Sequence, residues 1–142
     1  MWDDSLSTGV PEIDVQHKEL LQRFDEFTEA LIQGKGRVET GQMLDFLQFY
    51  ASWHFEREEK CMDAYRCPVA AANKSAHQRF MVRFGELYEQ YQASDVDFQV
   101  VAQTFWELQK WFIQHIKGVD THLNGCAREQ PGEDWTSTAA SD

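Results

Sequence analysis

Four histidines and one glutamate are spaced so that each lies on the inner face of a predicted helix. Four apolar stripes, followed in steps of three and four residues, each carry one histidine, and the second stripe adds a glutamate one turn later. The residues are His17, His54 with Glu58, His77 and His115. Four buried imidazoles and a carboxylate would be costly without a cation to compensate them. The sequence therefore predicts a metal site in the core of a helical protein.

The four histidines also lie at one level of the predicted structure. His17 and His77 are near the starts of the first and third helices, whereas His54 and His115 are near the ends of the second and fourth. In an antiparallel bundle these positions share one end. We therefore expect the side chains to meet in a single layer of the core.

Asp120 is a sixth candidate ligand, five residues after His115. Five steps rotate by about 140° on an ideal helix. Asp120 therefore reaches the layer only if it projects sideways or if the helix carries a π-bulge. Four imidazoles and two carboxylates exceed the four ligands of a tetrahedral zinc site. Because carboxylates can bridge, the set favours a pair of first-row transition-metal ions.

Glycine and proline clusters divide the chain into the helices that must position these groups. Four amphipathic helices are predicted over residues 14–33, 38–65, 69–92 and 96–123. The end signals are Gly34 and Gly36, Cys67-Pro68, Ser94-Asp95 and Asn124-Gly125. No segment alternates as a strand would. The prediction is an all-α protein, an up-down-up-down antiparallel four-helix bundle with an N-terminal irregular arm over residues 1–12.

The composition narrows the class of protein further. A chain of 142 residues fits one domain, which we expect over residues 1–125, followed by a flexible tail or linker over 126–142. The net charge of −11 argues against nucleic-acid and anionic membrane partners. No membrane span or secretory signal is recognisable, so we expect a cytoplasmic protein. Three cysteines without a CxxC pair predict reduced thiols, with Cys61 as a small core residue.

The ordered set of motifs resembles the hemerythrin family in its bacterial form. The family pattern is a histidine on the first helix, HxxxE on the second, HxxxH on the third and HxxxxD on the fourth. The corresponding residues are His17, His54 to Glu58, Asn73 to His77, and His115 to Asp120. The N-terminal arm, with Trp2 and Thr8-Gly9-Val10, is also similar. The resemblance covers about residues 1 to 125.

The resemblance implies a non-haem diiron centre that binds O2 or related small ligands. Glu58 and Asp120 would bridge two iron ions, together with an oxo or hydroxo group. His17 and His54 would bind one ion, and the other would be bound by His77 and His115. The candidate pocket residues are Phe112 and its neighbour Trp111. Phe112 is at a position that lines the ligand pocket in the family. His122, two turns beyond His115, is not expected to share the site.

Asn73 departs from the family pattern, which has a histidine there. Its amide oxygen could act as a weak ligand, directly or through water. Alternatively, Asn73 only forms hydrogen bonds and leaves an exchangeable position on the second iron. We favour the second interpretation, which predicts a site that is more accessible to exogenous ligands and to oxidation.

Two functions follow from the resemblance. In the first, the domain senses O2, NO or redox state as the N-terminal input domain of a signalling protein such as a diguanylate cyclase. In the second, the chain is a stand-alone O2 carrier or store. An enzyme is not expected, because no dedicated proton donor or substrate pocket is recognisable in the sequence.

Overall fold

Four long helices form the body of the protein. The structure is a computed structural model that describes residues 2–35, 37–93 and 97–129, and this part of the chain contains no strand. The helices are α1 (Pro11–Ile32), α2 (Arg37–Ala64), α3 (Ala70–Gln92), α4 (Phe98–Gly118) and a short α5 (Leu123–Glu129). The long helices α1 and α3 each pack against both α2 and α4. The predicted four-helix bundle is confirmed.

The ends of the long helices follow the local sequence signals. After α1, Gly34 adopts a left-handed φ of +69°, and the Lys35 N–H donates to the Ala30 carbonyl at 3.0 Å, as in a glycine-terminated helix. At the start of α4, the Asp97 carboxylate accepts a hydrogen bond from the Gln99 N–H at 2.9 Å. The other predicted signals in these two loops lie outside the described residues: Gly36, Ser94 and Asp95.

The predicted continuous helix over residues 96–123 is wrong, because α4 ends at Gly118. Val119 leaves the helical conformation, with φ −121° and ψ −56°, and a 3-10 turn then covers Asp120–His122. The break rotates Asp120 inwards, so that its side chain is fully buried. Asp120 therefore reaches the core through a helix end, and not through a π-bulge or by projecting sideways from a continuous helix.

The polar layer lies between two hydrophobic clusters. The larger one contains Leu20, Phe80 and Phe112, each one turn from a histidine on its helix. The smaller one, at the end of the bundle, contains Val10, Ile13, Cys61, Met62, Cys67 and Leu123. The two clusters separate the histidine layer from water along the bundle axis. None of the described helices is long and apolar enough to span a membrane.

Two of the three cysteines are paired, which corrects the expectation of reduced thiols. Cys67 and Cys126 form a disulfide with Cα atoms 5.5 Å apart, which connects the α2–α3 loop to α5. Cys61 is free and buried, and burial raises the pKa of its thiol to about 12. It packs as a neutral core residue, as expected. Of the predicted tail over 126–142, residues up to Glu129 belong to α5, and the remainder lies outside the described residues.

The N-terminal arm closes the same end of the bundle. The Thr8 N–H and hydroxyl both donate to the Asp14 carboxylate at 2.8 Å, which fixes the arm to the first turns of α1. Gly9 has a φ of +78°, and a Cβ there would lie 2.8 Å from Asn124 Oδ1. Only glycine satisfies both conditions. The arm thereby anchors the helix that carries His17.

Candidate metal centre

Six predicted ligands meet in one layer of the core. All are buried, and the most exposed of them, His115, retains 6% of its accessible surface. His17 comes from α1, His77 from α3 and His115 from α4, while α2 contributes both His54 and Glu58. Asp120 enters from the turn after α4. These side chains therefore lie at one level along the bundle axis, as the antiparallel packing of the helices predicted.

Glu58 lies between the histidines of different helices. Its Oε2 is 3.0 Å from His17 Nε2 and 3.3 Å from His54 Nε2, and its Oε1 is 3.2 Å from His77 Nε2. We call His17 and His54 the first pair, and His77 and His115 the second pair. One carboxylate oxygen of Glu58 thus faces the first pair, and the other faces the second pair.

Asp120 repeats this arrangement. Its Oδ2 is 3.3 Å from His17 Nε2, in the first pair, and its Oδ1 is 3.2 Å from His115 Nε2, in the second pair. Two carboxylates that each direct one oxygen to each pair have the geometry of bridging ligands. The potential ligand atoms also form two groups that share Glu58, and within each group all atoms lie within 4.8 Å of one another. One group contains Glu58, His77, His115 and Asp120, and the other contains His17, His54 and Glu58.

The chemistry of these atoms fits a pair of cations. Two ligand atoms bound about 2.1 Å from one ion at right angles are about 3.0 Å apart, close to the N···O separations of 3.0 to 3.3 Å found here. Several converging atoms nevertheless lack a hydrogen-bonding partner among the described residues: His54 Nε2, His77 Nε2, Glu58 Oε1 and both Asp120 oxygens. Buried polar atoms are seldom left unpaired. Cations in the layer would satisfy them.

Comparison with known proteins identifies the family. Residues 8–127 match the family model described as Hemerythrin HHE cation binding domain. The match covers most of the chain and includes the whole buried layer. This chain belongs to the hemerythrin family. The resemblance inferred from the ordered motifs is thereby confirmed, and the layer lies within a cation-binding domain.

Curated hemerythrin relatives align with nearly the whole chain. A bacteriohemerythrin of Stenotrophomonas maltophilia (strain R551-3) is 30% identical over 95% of this chain and 91% of its own length. A bacteriohemerythrin of Pseudomonas aeruginosa (strain LESB58) is 28% identical over 94% and 84%. Myohemerythrin-1 of Phascolopsis gouldii is 23% identical over 88% and 92%. The similarity therefore extends over the bundle as a whole.

In the metal-free form of this hemerythrin domain, buried charges dominate the electrostatics of the histidine layer. Burial alone would lower the pKa of His17, but the carboxylates of Asp120 and Glu58 outweigh it and raise the pKa to about 9. Burial is likewise outweighed at His77, whose pKa is raised to about 9 by Glu58 and Glu59. The pKa of His54 is lowered by burial and by neighbouring His17. Burial would raise the pKa of Glu58, but three histidines hold it well below its ordinary value.

These pKa values predict how the stability of the metal-free hemerythrin domain depends on pH. His17 and His77 bind protons more tightly when folded, so their contribution is complete below pH 6.5 and is lost as the pH rises through about 9. We expect the free energy of unfolding to fall over this interval by a few kcal/mol, on the order of 1.4 kcal/mol for each unit of pKa shift. Urea titrations of the metal-free protein at a series of pH values measure it.

Two substitutions test the origin of this pH dependence. Glu58→Gln removes the carboxylate that both histidines share and should flatten the profile. His122→Gln changes a histidine that is exposed and outside the layer, and it should leave the profile unchanged. A wild-type profile that is flat, or that rises, between pH 6.5 and about 9 would contradict the assignment of raised pKa values.

Asn73 lies inside the layer at the position where the family pattern has a histidine. It is fully buried, and its Oδ1 accepts a hydrogen bond from His115 Nε2 at 2.8 Å. Its Nδ2 has no partner among the described residues. The amide oxygen thus lies next to the atom through which His115 would bind a metal, and the departure from the family pattern belongs to the second pair.

Sequence reasoning missed two residues that hold the outer nitrogens of the histidines. Gln16 Oε1 accepts from His54 Nδ1 at 2.7 Å, and Glu59 Oε2 accepts from His77 Nδ1 at 2.9 Å. Each is a direct neighbour of a candidate ligand in the sequence. A helical neighbour is turned by about 100°, so it can reach the outer edge of an imidazole on the adjacent helix. The sequence did contain a signal for such partners, namely a polar residue directly beside a candidate ligand on the buried face of a helix.

Aromatic rings pack against every histidine of the layer. Phe112 contacts both members of the first pair edge-on, with centroid distances of 5.6 Å to His17 and 6.4 Å to His54. Trp111 stacks on His115 at 4.7 Å, and Phe55, which sequence reasoning also missed, stacks on His77 at 3.9 Å. These contacts restrict the rotation of the imidazoles and surround the layer with apolar surface.

Proposed function

We propose that this hemerythrin domain holds a non-haem diiron centre that binds O2 or a related small ligand. The observation that carries the proposal is the pair of carboxylates, Glu58 and Asp120, each of which directs one oxygen to each histidine pair. His17 and His54 would hold one ion, and the second pair would hold the other. When bound, two ferrous ions would supply the electrons that O2 binding requires.

The protein's own groups would hold, orient and shield this centre. Glu58 and Asp120 would offset part of the cationic charge, and the hydrogen bond that His54 Nδ1 donates to Gln16 Oε1 directs His54 Nε2 towards the interior. Phe112, with 1% of its surface exposed, would line the ligand pocket and exclude water, and Trp111 would support His115 from the outer side.

We propose that the centre senses O2, NO or redox state, and that the domain itself is not an enzyme. Asn73 supports this role, because the second pair has one imidazole fewer than the family pattern and would leave an exchangeable position on its ion next to His115. Such a site favours rapid oxidation over storage of O2. In a sensor, the change would be passed on by a fused signalling output domain, such as a diguanylate cyclase, in the cytoplasm.

Storage or transport of O2 by a stand-alone protein is the second candidate function. The names of the relatives favour it, since two proteins that this chain matches over 91% and 84% of their length are named bacteriohemerythrin. The two candidates differ in how the reduced centre responds to O2, and not in how the metals are held.

Iron analysis followed by rapid mixing with O2 tests the proposal. We expect two iron ions per chain and a visible absorption band typical of a bridged diferric pair. A sensor should pass directly to the diferric state when the reduced protein meets O2. A spectral change that reverses when O2 is removed would support the carrier instead. A chain that takes up zinc in preference to iron, or one ion only, would overturn the diiron proposal.

A further inference from the structure

His77 is held between two consecutive carboxylates of α2. Its Nε2 is 3.2 Å from Glu58 Oε1, and its Nδ1 is 2.9 Å from Glu59 Oε2. Because adjacent helical residues are turned by about 100°, Glu58 reaches the inner edge of the ring while Glu59 reaches the outer edge. Phe55 stacks on the ring face at 3.9 Å. The orientation of the imidazole is therefore determined on three sides.

The outer partners of the two histidine pairs differ in charge. In the first pair, His54 Nδ1 donates to the neutral amide of Gln16, which is 3% exposed. In the second pair, His77 Nδ1 donates to the carboxylate of Glu59, whose side chain is 28% exposed. A carboxylate behind a metal-bound imidazole makes the ring a stronger donor than a neutral amide does. The stronger outer partner thus lies in the pair that contains Asn73.

We propose that Glu59 is a positioning residue that strengthens His77 as a metal ligand and so compensates for Asn73. The inference rests on the proposed metal centre, and it concerns the second pair alone. With one imidazole missing, the ion in this pair receives less electron donation. The Glu59 carboxylate restores part of it and favours the oxidised state of that ion.

The position of Glu59 permits this role without blocking the centre. It lines a surface cleft of about 410 Å³ together with Glu56, Phe55 and His77. Glu56 is exposed and forms an ion pair with Lys60 at 3.5 Å, and it makes no described contact with a candidate ligand. The chain therefore offers a second carboxylate in the same cleft, on the same helix, as a matched control.

Glu59→Gln tests the inference, with Glu56→Gln as the control. Both changes remove one negative charge from the cleft, but only Glu59→Gln weakens the partner of His77. We expect Glu59→Gln to lower the preference of the centre for the ferric state by about tenfold. This change equals an upward shift of the reduction potential by about 59 mV for a one-electron couple. Glu56→Gln should shift the reduction potential by much less. The reciprocal change, Gln16→Glu, places a carboxylate behind His54 and should shift the potential downwards.

Cobalt(II) titration of the metal-free protein provides a readout that does not depend on iron chemistry. Glu59→Gln should weaken one of two Co²⁺ sites by about 10- to 100-fold and leave the other unchanged, whereas Glu56→Gln should change neither. Equal behaviour of the two variants in both measurements would overturn the role of Glu59. If Co²⁺ binds as expected but iron and O2 do not, the proposed function fails while the inference stands. A wild-type protein that binds neither metal would overturn both.

Discussion

Replacing Glu58 with glutamine is expected to abolish the binding of both metal ions. Glu58 faces both histidine pairs, through Oε2 towards His17 and His54 and through Oε1 towards His77. A neutral amide has one oxygen and cannot bridge as an anion. Loss of an outer partner costs about 10- to 100-fold in metal affinity, so loss of a shared ligand should cost more than about 100-fold at both sites.

Metal content per chain after iron reconstitution measures this effect. Glu56→Gln, an exposed carboxylate on the same helix, is the control and should load as the wild type does. Far-ultraviolet circular dichroism of the metal-free variant checks that the bundle has formed, because Glu58 is also the counter-charge of buried histidines. A folded Glu58→Gln protein that retains two ions would show that Glu58 is not the bridge.

Replacing Asn73 with histidine is expected to slow the oxidation of the reduced protein by O2 by about tenfold or more. The new imidazole would complete the ligand pattern of the family in the second pair and occupy the exchangeable position next to His115. Changes in the outer partners of metal ligands alter metal affinity or activity by about 10- to 100-fold, and a new ligand should have an effect of at least the lower size. Stopped-flow mixing of the reduced protein with O2 measures the rate, and iron analysis confirms equal loading.

A second variant at this position distinguishes the two interpretations of Asn73. Asn73→Leu has a similar shape but lacks the amide oxygen that now lies 2.8 Å from His115 Nε2. If the oxygen binds the metal, this variant should lose affinity at one site. If Asn73 only forms hydrogen bonds, iron loading should persist and O2-driven oxidation should remain fast. An oxidation rate that is the same in wild type, Asn73→His and Asn73→Leu would contradict any influence of Asn73 on the centre.

The part of the site that follows helical periodicity could be predicted from the sequence. His54 and Glu58 are one turn apart, so they share a face in any helix that contains both. His17, His77 and His115 could be placed at the same level because short connections force neighbouring helices to run antiparallel. The structure brings these residues together as expected. Their role as metal ligands remains a prediction.

Asp120 shows where periodicity stops being sufficient. Its spacing from His115 is wrong for a continuous helix, and the sequence suggested two ways to correct it. The structure uses a third, the end of α4 at Gly118 followed by a 3-10 turn. A helix end depends on what the following segment packs against, here the closing cluster that contains Leu123. Local propensity does not contain that information.

The sequence by itself determined the bundle and the common level of five candidate ligands, because these depend on spacing within one helix or on helix order. Asp120 could be named as a sixth candidate without an explanation of how it reaches the layer, and the resemblance to the family marked Asn73 as a departure. The tertiary structure alone decided which carboxylate oxygen faces which histidine pair, that Gln16 and Glu59 hold opposite sides of the layer, and that Cys67 pairs with Cys126. These features join residues on different elements. They depend on the rotation and offset of the packed helices, which arise only when the whole core is filled.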